Sequence, residues 1–442
     1  MSVPRSTARA TVRSAPFAPS AASAPFAGAF ATARPSRRTA LAGLTALGVG
    51  AVVPTLSAGT AHAAAASAAG AGTLAAAGPV QLSLPAPTGP HRVGNVALHL
   101  VDQSRRDPWV PSHPLRELMI GIWYPAHDVD GHGAVPWLPA NAWSAYLQDS
   151  AIAPGLVSVP ATHGHDGAPA ERRGGPRPVL LFSPGSGGDR DTCTTLTEEL
   201  VSHGYVVVTI DHTHDSAEVE FPDGHVEPRT IPPDSLPINT EAVSVRTADA
   251  VFVLDQLCAI AAGRNPDVDH RPLPHGLAEA LDLSRVGMYG HSMGGATSAW
   301  AMLDDRRIRA GINLDGSLYG PVLSAGLDRP FLFMCSQLHD LSDDPSWAQT
   351  WSHLRGWHKL LRLANAAHNS YTDLQSLVPE AAAAIDYPPS TVQELIGTVD
   401  PTRSVLDVRT YVRAYFDRFV RGHDNHLLDR PSPAYPEIEF LA

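Results

Sequence analysis

The chain is predicted to be an α/β protein with a mostly parallel central sheet and helices on both faces. Three observations predict it. Short apolar runs alternate with amphipathic helical ones from residue 119 to residue 419, the pattern of strands joined by crossover helices. One of those runs ends in a sharp glycine-serine turn, and a series of small residues follows it. The roughly 350 residues behind an Ala-rich leader suit one large domain.

In order, 119–124 reads as an early strand and 179–182 as a short buried strand ending at Ser183-Pro-Gly-Ser-Gly-Gly188. Residues 192–203 read as a helix and 205–210 as an apolar strand. Residues 242–262 form an amphipathic helix with Val243, Ala250, Val253, Leu254 and Leu257 near one face. Strands at 285–289, 310–314, 331–334 and 360–363 follow, and Val405, Val408, Val412, Tyr415, Phe416 and Phe419 mark a closing helix. Residues 128–177 and 213–239, rich in Pro, Gly, His and acids, fit no regular element. As long loops they are candidates for the rim of a cleft.

The run Val286-Gly-Met-Tyr-Gly-His-Ser-Met-Gly-Gly-Ala-Thr297 carries the chemistry. Gly290, Ser292 and Gly294 spell G-x-S-x-G, the nucleophile elbow of the α/β-hydrolase fold. Such a turn exposes the serine hydroxyl at the sheet edge, with a helix N-terminus behind it to favour developing negative charge.

A serine hydroxyl needs a base, and the base needs an acid to hold its tautomer. Among 21 histidines, position selects His368, in a polar loop just after the last strand, with His339 next. Two acids remain open on residue type and position. Asp315 ends the strand after the elbow, and Asp340 follows the next one. The oxyanion needs two backbone donors, and Met293 and Ser186 of the glycine loop are the expected pair. His212 and His214 alternate as metal ligands do on one strand face, and His163 and His165 are a similar pair. No matching Cys or carboxylate set accompanies either, so neither metal nor cofactor is expected. No phosphate loop or dinucleotide fingerprint is present.

The first 101 residues hold no Asp or Glu. Ser36-Arg-Arg-Thr-Ala-Leu41 reads as a twin-arginine signal, followed by an apolar stretch to about Val53 and a small-residue cleavage site, Ala61-His-Ala63. The expected organisation is a signal with an N-terminal extension (1–63), a mobile Ala/Gly/Pro linker (64–90) and a single catalytic domain (91–442), exported by the twin-arginine route and free of a membrane span. Removing 1–63 takes away six arginines and no acids, moving the net charge from −12 to −18. That acidity argues against nucleic acid and anionic membranes as partners, while leaving apolar contact with lipid aggregates open. Cys193, Cys258 and Cys335 are an odd number, most simply read as thiols, with one bridge left open.

With these residues in hand, the chain resembles the plasma-type platelet-activating factor acetylhydrolases and their secreted bacterial relatives. The resemblance runs from Met119 to about Leu374. It rests on Leu181-Phe-Ser-Pro-Gly-Ser-Gly-Gly188, Leu200-Val-Ser-His-Gly-Tyr-Val-Val207, Gly290-His-Ser-Met-Gly-Gly-Ala-Thr297, Ala310-Gly-Ile-Asn-Leu-Asp315 and His368-Asn-Ser-Tyr-Thr-Asp373. It implies Asp315 as the acid, a Ser292–Asp315–His368 triad, and Ser186 and Met293 as oxyanion donors. It also implies a substrate with a short acyl ester, such as an acetylated phospholipid. The chain departs from the family at Pro184, where histidine is usual, and at Met293, where an aromatic is usual. The expected function is a secreted serine carboxylic-ester hydrolase. The alternatives are a lipase, cutinase or polyester hydrolase with the same triad, a peptidase, or an inert binding protein of the same fold.

Overall fold

The computed structural model describes residues 78–442. The expected twin-arginine signal (1–63) and residues 64–77 of the expected linker lie outside the described residues. Six parallel strands form the centre, in the spatial order Val206–Ile210, Arg177–Ser183, Leu281–His291, Ile308–Leu314, Phe331–Cys335 and His358–Leu363. Ile438–Phe440 extends one edge antiparallel. Arg116–Ala126 and Arg92–Asp102 extend the other edge antiparallel, followed by Ala161–Asp166 and Ala134–Pro136.

Strand alternation divides the apolar side chains between two cores. On one face Leu181, Val206, Val208 and Met288 meet Val253, Leu254 and Leu257 of helix Leu236–Ala261 and Ala296 and Ala299 of helix Met293–Asp304. On the other, Leu180, Phe182, Val207 and Tyr289 meet Leu196 and Leu200 of helix Thr194–Ser202. Tyr411, Val412, Tyr415 and Phe416 of helix Pro401–Phe416 close that face. The sheet is thus covered on both sides, as the alternation of runs predicts.

Several boundaries differ from the sequence reading, each for a physical reason. The long helix begins at Leu236 rather than 242, because the Ser235 hydroxyl accepts from the Ile238 amide and Pro237 sits in the first turn. The remainder of 213–239 contains a hairpin, Glu218–Glu220 with Val226–Pro228. Residues 128–177 hold the helix Ala140–Asp149 and the outer strands. Trp137, Leu138 and Ala142 there pack with Leu82, Leu84 and Leu377 in a third apolar cluster. Those partners are remote in sequence, so no local period announces them. Packing also starts ahead of residue 91: Val80–Gln81 pairs in parallel with Val157–Ser158, and Leu82 and Leu84 are buried. The strand Arg92–Asp102 was missed although Val96, Leu98 and Leu100 alternate along it and enter the first core. All three cysteines are free thiols, Cys193 and Cys335 buried and Cys258 half-buried. Among the described residues no helix is long and apolar enough to cross a membrane.

Candidate active site

The elbow strand Leu281–His291 lies between Arg177–Ser183 and Ile308–Leu314 in the middle of the sheet. Ser292 follows it at φ 53°, ψ −124°, and Met293 opens the next helix. A left-handed φ on a non-glycine residue costs about 1–3 kcal/mol and persists only where its surroundings impose it. Here the Ser292 amide donates to the Leu314 carbonyl at 2.8 Å, and the Ser292 carbonyl accepts from Gly295 at 2.9 Å. The flanking glycines are required sterically. A Cβ on Gly290 would sit 2.2 Å from the Gly294 carbonyl carbon, and one on Gly294 would sit 1.9 Å from the Ser183 carbonyl oxygen.

Asp315 caps the neighbouring strand, also at positive φ, 62°. Asn313 holds this turn by accepting from the Gly316 amide at 2.9 Å and donating to the Gly316 carbonyl at 2.6 Å. The Asp315 carboxylate is thereby aimed across the sheet edge. Its Oδ2 meets His368 Nδ1 at 2.7 Å, while Oδ1 accepts from the Ser336 amide at 2.7 Å and meets His339 Nδ1 at 3.0 Å. His368 opens a short 3-10 turn, His368–Tyr371. The turn is anchored by Ser370 Oγ on the Ile396 carbonyl and Tyr371 Oη on the Cys335 carbonyl. The His368 ring lies 4.5 Å, centroid to centroid, from that of His291, the residue before Ser292. The other candidate acid, Asp340, turns away to Arg362 at 2.6 Å.

The electrostatics separate the two histidines on Asp315. Burial alone would raise the Asp315 carboxyl. Hydrogen bonds from His339 and His368 outweigh it and hold the group well below the usual carboxylate range. Burial would lower His339, but hydrogen bonds to Asp315 and Asp344 carry it up to about 10. With both ring nitrogens on carboxylates, at 3.0 Å each, His339 is a fixed cation with no nitrogen free to accept a proton. His368 has a carboxylate on Nδ1 alone, and its side chain is 36% accessible. A raised histidine pKa contributes stability that is complete below its unfolded value, about 6.5, and is lost as pH rises through about 10. His339→Gln is therefore expected to destabilise the fold by about 2 kcal/mol near pH 6, with the difference closing towards pH 10. Urea unfolding midpoints of the two proteins across that range check this, and a pH-independent difference would contradict it.

The glycine loop lies against the elbow: a Cβ on Gly185 would be 3.1 Å from His291 Nδ1 and 3.3 Å from Ser292 Cβ. Two arginines that the sequence reading missed hold this loop. Arg246, fully buried, donates to the carbonyls of Pro184 at 2.6 Å and Gly185 at 3.0 Å, and pairs with Asp215 at 2.6 Å. Arg229 donates to Ser186 Oγ at 3.0 Å. No local signal marks either arginine, because both act across long sequence separations. His291 was also missed, although its place beside the serine was a signal. Its Nε2 meets the His368 carbonyl at 3.0 Å, and burial, with the neighbouring His368, pushes its pKa down to about 3. It stays neutral and ties the backbone of His368 to the elbow.

The two histidine pairs considered as metal ligands do not act as pairs. His212 is consumed in a buried network, its Nδ1 on Asp249 and its Nε2 on Ser183 Oγ, each at 2.9 Å. The strand ends at Ile210, so His212 and His214 no longer share a strand face; His214 instead turns away at φ 70°. His163 binds Glu198 at 2.8 Å, while His165 faces the Val93 carbonyl at 3.1 Å.

A serine on a strained strand-to-helix turn, in the middle of a parallel sheet covered on both faces, defines an α/β-hydrolase fold. The chain belongs to the family of platelet-activating factor acetylhydrolase, isoform II, whose model matches residues 76–386. It is 31% identical to a probable 1-alkyl-2-acetylglycerophosphocholine esterase of Arthroderma benhamiae, over 82% of this chain and 95% of that one. It is 24% identical to a platelet-activating factor acetylhydrolase of Cavia porcellus, over 57% and 62%. Among solved structures it is similar to a ferulic acid esterase from Streptomyces cinnamoneus, with a TM-score of 0.70 and 36% identity, covering 82% of this chain and 99% of that one. The chain is a carboxylic ester hydrolase.

Proposed function

We propose that Ser292 is the nucleophile of this hydrolase, His368 its general base, and Asp315 the group that orients and stabilises the imidazolium. Supporting this above all is the 2.7 Å contact of Asp315 with His368 beside the strained elbow. His368 Nε2 takes the Ser292 proton as Oγ attacks the ester carbonyl. The amides of Met293 and Ser186 receive the oxyanion. His368⁺ then protonates the leaving alkoxide, and water attacks the acyl-enzyme with His368 again as base.

The substrate is a short-acyl ester, and an acetylated ether phospholipid is the first reading, supported by the family and the fungal relative. A second reading, an aryl acid ester, is favoured by the higher identity to the ferulic acid esterase and its almost complete coverage. Residues 36–63 support export by the twin-arginine route, leaving a secreted chain that begins at Ala64.

The test joins a fluorophosphonate probe to a panel of p-nitrophenyl esters of increasing acyl length, an acetylated ether phospholipid and methyl ferulate. The expected result is one probe adduct on Ser292, with turnover falling as the acyl chain lengthens. Ferulate turnover above that of the phospholipid selects the second reading. An unlabelled, inactive protein overturns the proposal in favour of an inert binding protein. N-terminal sequencing of the exported chain checks the cleavage site, and a start elsewhere than Ala64 contradicts it.

A further inference from the structure

Away from the elbow, three segments bring together a set of donors that the ester chemistry does not use. His113 comes from the connection between strands Arg92–Asp102 and Arg116–Ala126, and His214 from the turn after Val206–Ile210. Glu227 comes from the hairpin strand Val226–Pro228. Their ligand atoms all lie within 4.8 Å of one another. His214 Nε2 is 3.3 Å from Glu227 Oε2, and His113 Nε2 is 3.6 Å from Oε1. His225 approaches the same carboxylate, Nε2 to Oε1, at 3.7 Å. These four side chains line a cavity of about 20 Å³, room for one water-sized occupant.

The surroundings prepare the rings for a cation. His214 Nδ1 meets Asp107 Oδ2 at 2.9 Å, and Asp107 is itself fixed by Arg116 Nη1 at 2.8 Å. His225 Nδ1 is bonded to Asp223. A carboxylate on Nδ1 fixes the ring with Nε2 directed at Glu227, and a bound cation takes the place of the proton between Nε2 and that carboxylate, the arrangement that orients histidine ligands in metal sites. His214 also adopts φ 70°, a conformation disfavoured for a non-glycine residue. Its carbonyl is held by the amides of Thr230 and Ile231 at 2.8 and 3.1 Å. Three imidazoles and one carboxylate make a nitrogen-rich set with a single negative charge. That set suits tetrahedral Zn²⁺ rather than Mg²⁺ or Ca²⁺, which demand more oxygen ligands.

We propose that His113, His214 and Glu227 form a structural Zn²⁺ site, with His225, 3.7 Å from Glu227 but outside the mutually close group, swinging in as the fourth ligand. The ion ties the hairpin and the turn at His214 to the sheet edge. Both segments reach the glycine loop. Arg229, two residues beyond Glu227, bonds Ser186, and Asp215, next to His214, pairs with the Arg246 that holds Pro184 and Gly185. Zinc binding stands apart from the catalytic reading, whereas its effect on turnover rests on that reading.

The experiment strips the purified protein with excess EDTA, then measures zinc uptake by elemental analysis and by competition with a chromophoric chelator. Thermal unfolding is followed in parallel. One equivalent of Zn²⁺ per chain is expected, with a fall in Tm on stripping and recovery on refilling. His113→Gln and Glu227→Gln change partly exposed side chains, 37% and 20% accessible, so the fold is retained. Each is expected to weaken zinc at least about 100-fold. His426→Ala, in the exposed Asp424, His426 and Asp429 group, is expected to leave zinc binding unchanged. The proposal is overturned if the wild type holds no stoichiometric zinc, if Ca²⁺ or Mg²⁺ binds in its place, or if both glutamine variants keep wild-type affinity. In the last case the cluster is an ion pair between histidines and Glu227.

Discussion

Ser292→Ala is expected to lower kcat for a p-nitrophenyl acetate substrate by about 10⁶-fold, with KM little changed. Asp315→Asn is expected to lower it by about 10⁴-fold. The two effects have different causes. Alanine removes the atom that forms the acyl-enzyme. Asparagine keeps the size of the side chain but puts an amide where the carboxylate meets His368 at 2.7 Å. The ring then loses the acceptor that fixes its Nδ1 proton, and the imidazolium loses its counter-charge. The same change also removes the anion from His339, which sits 3.0 Å from the other oxygen, so folding must be measured alongside turnover. Asp340→Asn is the control, since its carboxylate pairs with Arg362 and Ser342, and kcat within about twofold of wild type is expected of it. Circular dichroism with steady-state kinetics decides the matter. Folded Ser292→Ala with wild-type turnover would remove the nucleophile from the proposal, and a folded, fully active Asp315→Asn would remove the acid.

Arg246→Met is expected to destabilise the protein by about 3–5 kcal/mol. The guanidinium is fully buried and makes three hydrogen bonds, one to Asp215 and two to the carbonyls of Pro184 and Gly185. Methionine fills a similar volume but leaves a buried carboxylate without its cation and two carbonyls without donors. Arg246→Lys is expected to recover part of the loss, because an ammonium can neutralise Asp215 but cannot fork onto both carbonyls. Because those carbonyls belong to the loop beside Ser292, both variants should also lose turnover at temperatures where they remain folded. Chemical denaturation checks the stability, and a midpoint equal to wild type would show that the buried pair contributes nothing net.

The elbow was legible because its constraints are local. Gly290, Ser292 and Gly294 are set by one turn that leaves no space for a Cβ. The central strands were legible for a similar reason: each is a short apolar run buried on both faces, and such runs stand out between polar helices. Position pointed to His368, a histidine in the polar loop after the last central strand, and its ring does meet Asp315. Asp315 and Asp340 could not be separated on residue type and strand-end position, since both follow apolar strands. Their difference lies in a backbone turn at φ 62°, held by Asn313, and in an arginine, Arg362, that engages one of them.

The sequence by itself determined the class of fold, the family and the strained serine, because periodicity and a steric turn act between near neighbours. The tertiary structure decided which carboxylate meets the imidazole, which buried arginine holds the glycine loop, and that His113, His214, His225 and Glu227 share one cavity. The contacts that decide the site join residues about fifty to a hundred positions apart, Asp315 with His368, Pro184 with Arg246 and His113 with His214, and their geometry exists only once the sheet has fixed the loops at its edge.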